Sequence, residues 1–193
     1  MGLDTKKTLQ LPEKQAPEVL SESVSARSRI FTVQSQALKF SNGTEVVFER
    51  LLGSQNGAVL IVPIMQDDTL ILIREYGAGV GRYELGFPKG KIDPGEDWQT
   101  SAVRESHEEI GYHPENIELL DSVTLAAGYM THVTHLVLAT DLSPKTAEGD
   151  EPEPLDIIRW PLSEWQALLH HPEFTEGRAY AALMLALKKR GYI

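Results

Sequence analysis

The run Arg104-Glu105-Ser106-His107-Glu108-Glu109 sets three carboxylates at spacings of i, i+3 and i+4. On a helix those positions share one face within side-chain reach, so the three anions repel one another unless something neutralises them. A solvated helix interleaves lysines with such glutamates, but here Ser106 and His107 stand between them and Arg104 is the single cation of the run. Hard divalent cations take carboxylate oxygens, and magnesium combines a few carboxylates with waters and substrate phosphates. The face therefore suits a platform for magnesium or manganese. An acidic helix surface turned to water is the competing reading, because most charge runs are solvated faces.

The residues before and after the run decide between them. Gly90, Glu96, Arg104, Glu105, Glu108, Glu109 and Gly111 stand in the pattern G-x5-E-x7-R-E-U-x-E-E-x-G-U, where U is a bulky apolar residue. That pattern is the Nudix box, and from about Gly57 to Leu187 the chain resembles the Nudix hydrolases. Two positions depart from it. Ser106 replaces an apolar residue on the buried side of the helix, where its hydroxyl can bond back to Ala102, and Tyr112 stands at the last U. Neither departure removes a carboxylate. Ile73-Arg74-Glu75-Tyr76, Tyr83 to Gly90, Gly149 to Pro154 and Arg159 to Leu162 are similar to the branch of the family that hydrolyses ADP compounds.

The resemblance implies cleavage of the diphosphate linkage of a nucleoside diphosphate derivative such as ADP-ribose, reduced NAD or a diadenosine oligophosphate, with AMP released. It implies that Glu105, Glu108 and Glu109 hold magnesium or manganese, with the carbonyl of Lys89 as a further ligand, and that Arg104 buttresses a catalytic glutamate. Water attack on a diphosphate needs such cations, because the substrate and the nucleophile otherwise repel. Glu96 either closes the loop onto the helix or takes part directly. In this branch the general base can come from a loop outside the box, which points to Glu151 or Glu153 among Glu148, Asp150, Glu151 and Glu153. Arg74 and Glu84 stand at the expected edge of the site, where an arginine suits phosphate recognition. Tyr76, Tyr83 and Phe87 are candidates for stacking on adenine, with Tyr76 taken as the substrate contact. Other Nudix substrates, a nucleoside triphosphate or coenzyme A, stay open, as does a non-catalytic nucleotide-binding module, whose mark would be loss of a carboxylate.

The elements that must position these residues read as α/β. Residues 1–26 mix Lys, Glu, Pro and Ser without periodicity and read as a flexible arm. Residues 27–56 read as an N-terminal antiparallel hairpin region, turning at Asn42-Gly43, and 57–193 as the Nudix domain. Gly57–Met65 and Thr69–Tyr76 read as a hairpin buried on both faces. Gly77–Gly95 is too rich in Gly and Pro for a regular element, and a helix follows over Glu96–Ile110, stopped by Gly111. Strands are expected at 117–126, 132–139 and 155–160, and helices at Ser163–His170, opened by a Ser163/Gln166 capping box, and at Arg178–Arg190. The resemblance adds an α/β/α sandwich with a mixed sheet, and a homodimer through the N-terminal region.

Composition narrows the partners. With a formal charge of −10 and a pI near 5.1, the chain lacks the cationic surface that nucleic acid or an anionic membrane requires. The absence of cysteine excludes disulfides, thiolate catalysis and cysteine-bound zinc. Met1 to Gln15 has no apolar run of the kind a signal peptide or membrane span needs, so a cytoplasmic location is the default expectation.

Overall fold

The computed structural model describes residues 11–54 and 56–193. The chain forms two units, Met1–Leu51 and Leu52–Ile193. In the first, β1 (Glu18–Arg27), β2 (Thr32–Lys39) and β3 (Glu45–Leu52) make a three-stranded sheet in that order. β1 and β2 run antiparallel, with Glu18 opposite Lys39 and Arg27 opposite Thr32. The turn into β3 is the expected one: Gly43 has φ 84° and donates its N–H to the Phe40 carbonyl, and the Asn42 side chain accepts from Thr44 N–H.

Residues 18–26 are thus strand rather than arm, while 1–10 lie outside the described residues. β1 takes its backbone hydrogen bonds from β2, a partner that its own mixed polar pattern does not announce.

The second unit is built on two sheets. One has the order β10-β5-β6, from β5 (Thr69–Gly77), β6 (Arg82–Gly86) and β10 (Asp156–Pro161). The other has the order β7-β4-β9-β8, from β4 (Ala58–Pro63), β7 (Lys89–Lys91), β8 (Tyr112–Thr124) and β9 (Val133–Pro144), and is mixed because β4 and β9 are parallel while their other neighbours are antiparallel. The helices are α1 (Trp98–Glu109), α2 (Trp165–Leu169) and α3 (Gly177–Arg190).

β4 shows why this becomes a sandwich. Every one of its residues is buried, and successive side chains point to opposite faces. Val59 and Ile61 join Val137, Ala139 and Ala102 of α1 in one core. Leu60 and Val62 join Leu136, Leu138 and the α3 residues Ala179, Leu183 and Leu187 in the other. A continuous apolar run therefore marks a strand covered by helices on both sides. Among the described residues no helix is long and apolar enough to cross a membrane.

Three local expectations give way to tertiary pairing. β4 and β5 are joined by a tight turn, but only Ile64 and Leu70 bridge across it, and the strands enter different sheets instead of forming one hairpin. The Gly- and Pro-rich run holds two short strands, β6 paired with β5 and β7 paired with β4, because neighbouring edges supply the hydrogen bonds that its composition disfavours. No Ser163 capping box forms: Leu162–Glu164 is a 3-10 turn, and the first residue before α2 makes no side-chain cap.

Candidate active site

α1 starts where Asp97 accepts a hydrogen bond from the Thr100 N–H at 2.8 Å, and stops before Gly111, whose φ of 72° a residue with a side chain adopts only under strain. Between these ends Glu105, Glu108 and Glu109 fall on the face turned to a cavity of about 560 Å³. Strand β7 and the loop after β9 complete its wall. Asp93, Glu148, Asp150 and Glu151 add four carboxylates to those three, against Lys89, Lys91 and Arg104.

Two of the three cations of the cavity, Arg104 and Lys89, are already engaged. Arg104 forks onto Glu96, with Nε and Nη2 each 3.0 Å from a carboxylate oxygen, while Nη1 donates to Glu105 at 2.8 Å and to Glu108 at 3.0 Å. It also donates to the Lys91 carbonyl. One guanidinium therefore ties the loop, the helix and strand β7 together, a geometry that a lysine lacks. Glu96 sits in the closing position: it takes two bonds from Arg104 and one from the Asp93 N–H, and the Arg104 contact holds its carboxyl below the usual range. Lys89 Nζ is paired with Glu75, and its backbone N–H donates to Glu109 Oε2 at 2.9 Å.

Two of the carboxylates are nearly out of water. Glu105 and Glu109 are each 8% exposed. Burial raises the pKa of Glu105, and it raises that of Glu109 further, to about 8, where Glu105 and Glu75 add like charge. Glu151 is also raised, by burial first and then by Glu75 and Asp150. Seven carboxylates against three cations, two of them engaged, leave the cavity in deficit of positive charge.

Glycine matters at one point in this wall. A β-carbon on Gly90 would meet Glu105 Oε1 at 1.8 Å, so only glycine lets β7 pass under that carboxylate. The Ser106 hydroxyl is buried and donates to the Ala102 carbonyl at 2.7 Å, the back-bond expected at the box's first departure.

Of the other expected residues, Arg74, Glu84, Tyr76 and Glu153 do not line this cavity. Arg74 donates two bonds to Glu173, at 2.8 and 2.9 Å, and Glu84 is held by Arg82 and Thr175. Tyr76 is 55% exposed and meets Tyr83 edge to face at 5.6 Å. Phe87, by contrast, is fully buried against Phe174 and is closed to any ligand. Glu151 lines the cavity, whereas Glu153 accepts a hydrogen bond from the Tyr83 hydroxyl at 2.6 Å. The sequence reading missed the Lys89–Glu75 pair and the Tyr83–Glu153 contact. Alternation along β5 could have paired Glu75 with a neighbour; nothing local connects positions 83 and 153.

The NUDIX domain family matches residues 55–181, and the NudE-type Nudix hydrolase N-terminal domain matches residues 17–50. The chain belongs to the Nudix hydrolases. Among its Nudix relatives, the ADP compounds hydrolase NudE of Escherichia coli K12 is 47% identical over 182 residues, covering 93% of this chain and 97% of that protein. The ADP-ribose pyrophosphatase of Bacillus subtilis is 25% identical over 88% of this chain and 95% of its own length. A crystal structure of an ADP compounds hydrolase superposes with a TM-score of 0.87 at 46% identity, over 95% of this chain and all of that one.

As a Nudix hydrolase the chain is an enzyme of a family that works with a divalent cation. The donor set fits one: hard oxygen ligands, crowded on one helix face and short of positive charge. Among the described residues no three His, Asp or Glu side chains are grouped closely enough to hold a metal ion as they stand, and Arg104 and the Lys89 amide hold several of the carboxylate oxygens.

Proposed function

We propose that the chain hydrolyses the diphosphate linkage of ADP-containing compounds, with ADP-ribose, reduced NAD and diadenosine oligophosphates as substrates and AMP as the shared product. The observation that carries the reading is the complete carboxylate face of α1, turned to an acidic cavity beside Gly90 of β7. A binding module without activity would have no need of it. The choice of ADP compounds leans on the 47% identity to the Escherichia coli enzyme of that name.

In this reading Glu105, Glu108 and Glu109 hold magnesium or manganese, with the Lys89 carbonyl as a further ligand. The bound cation screens the diphosphate and makes the attacking water more acidic. Glu151 accepts that water's proton. Its raised pKa makes it a stronger base than an exposed glutamate, and its loop faces the α1 carboxylates across the cavity. The water oxygen bonds to phosphorus while the bridging anhydride oxygen departs with the other phosphate. Arg104 serves by fixing Glu105 and Glu108 against Glu96, and Tyr76 offers its exposed ring to adenine. Arg74 and Glu84 act at the site's edge through the partners that hold them.

We also assign the N-terminal sheet to a homodimer. None of its described residues is buried, and Val19, Val24, Phe31 and Val47 are each at least half exposed. A three-stranded sheet needs an apolar face packed against something to be stable, and exposed apolar surface of this kind marks an interface. Light scattering that finds only monomer at working concentration would refute it.

The test of function is a substrate panel with purified protein and magnesium, following AMP from ADP-ribose, reduced NAD and diadenosine triphosphate. AMP from these supports the reading. Pyrophosphate from a nucleoside triphosphate alone moves the chain to another Nudix branch.

A further inference from the structure

We propose that Tyr83 is a positioning residue: through Glu153 it latches the acidic loop of residues 148–153 over the carboxylate face of α1. The inference rests on the reading in which Glu151 works from that loop.

The loop has few other ties. On its entering side the Ala147 N–H donates to the His107 carbonyl at 3.1 Å, and on its leaving side Asp156 begins β10, paired with Arg74 of β5. Among the described hydrogen bonds and ion pairs, none involves residues 148–152. Even so the loop lies on the helix: a β-carbon on Gly149 would sit 3.6 Å from that of Glu108. Between the two ends, the bond from Tyr83 to Glu153 is the side-chain contact that fixes the loop's height.

Tyr83 is itself well anchored. It belongs to β6, opposite Tyr76 of β5, and the Tyr76 ring meets it edge to face. The Arg74 guanidinium lies 4.6 Å from the ring centre, and that arginine is clamped by Glu173 and approached by Asp156 at 3.7 Å. The ring is thus held on its face and its edge, and its hydroxyl is presented at a fixed place on the rigid sheet. The hydrogen bond to the Glu153 carboxylate stabilises the protonated phenol and raises its pKa above the ordinary value. Glu151, two residues before the latch, faces the cavity, where a small displacement costs rate far more than it costs binding.

Four full-length variants test this. Tyr83→Phe, which keeps the ring under Arg74, lowers kcat about tenfold with KM for substrate and cation within about twofold. It also speeds cleavage of the 148–153 loop by a glutamyl endopeptidase, since a released loop opens more often. Glu153→Ala matches it. Glu153→Gln, whose amide oxygen still accepts the phenol's hydrogen, recovers most of the loss, and the double variant Tyr83→Phe/Glu153→Ala is no worse than either single change. Wild-type kcat and cleavage rate in Tyr83→Phe would overturn the latch, as would losses that multiply in the double variant. Should the wild-type chain cleave no ADP compound, the proposed function fails, and the cleavage rates still decide the latch.

Discussion

Gly90 and Glu105 are in such close approach that the space a β-carbon would need at position 90 is filled by the Glu105 carboxylate, 1.8 Å away. The obstructing atoms are the far end of a flexible side chain, so the fold can survive a larger residue there while the carboxylate cannot keep its place. Gly90→Ala is therefore expected to leave the melting temperature nearly unchanged and to lower kcat by about a hundredfold, by displacing one proposed ligand. Thermal melts run beside the kinetics check both halves.

Arg104→Lys probes the fork. A lysine keeps the charge but cannot bond Glu96 twice and reach Glu105 and Glu108 together. The variant should stay folded and lose roughly tenfold or more in kcat through misplaced carboxylates. Activity equal to wild type would reduce Arg104 to a surface ion pair of little consequence.

Glu109 makes cation binding and pH interdependent. In the cation-free protein burial lifts its pKa from 4.5 to about 8, so the folded state holds a proton that the unfolded state releases earlier. Its contribution to stability is fully present below 4.5 and is lost as pH rises through about 8. A cation reverses this by displacing the proton, so apparent magnesium affinity should climb with pH up to about 8. Melts of chelator-treated wild type and Glu109→Gln across this range isolate the effect: only wild type should lose stability from this group, and magnesium should abolish the difference in slope.

Ser106 looks like a defect in the helix's buried face and is not one. Its hydroxyl is satisfied by the Ala102 carbonyl at 2.7 Å, so removing it leaves no buried group unpaired. Ser106→Ala should shift stability by less than about 1 kcal/mol. A larger loss, read by urea denaturation, would mean that the back-bond shapes the helix.

The helix and its carboxylates were legible because their information is local. Spacing along one helix fixes which glutamates share a face, and Gly111 marks its end in the sequence itself; the structure alone supplies the Asp97 cap that starts it. The apolar runs of β4 and β5 likewise declare strands covered on both sides. Which sheet each joins is not local: Val59 and Leu60 face different helices, and only pairing with β9 and β7 decides the arrangement. β1, β6 and β7 were hidden for the same reason, their hydrogen bonds coming from partners distant in sequence or weakly announced. At the site, Glu151 and Glu153 were indistinguishable by composition. What separates them is the Tyr83 hydroxyl, which engages one and leaves the other facing the cavity.

The measurement that tests the central claim most directly is AMP release from ADP-ribose in magnesium by wild type and by Glu109→Gln, with circular dichroism on both. The amide at 109 can still accept the Lys89 N–H but is a poor ligand for a hard cation. Wild type should release AMP, stop when the metal is chelated, and resume on its return, while the variant, equally folded, should retain no more than about a hundredth of the rate. Near-normal turnover by folded Glu109→Gln would contradict the carboxylate platform on which the account stands.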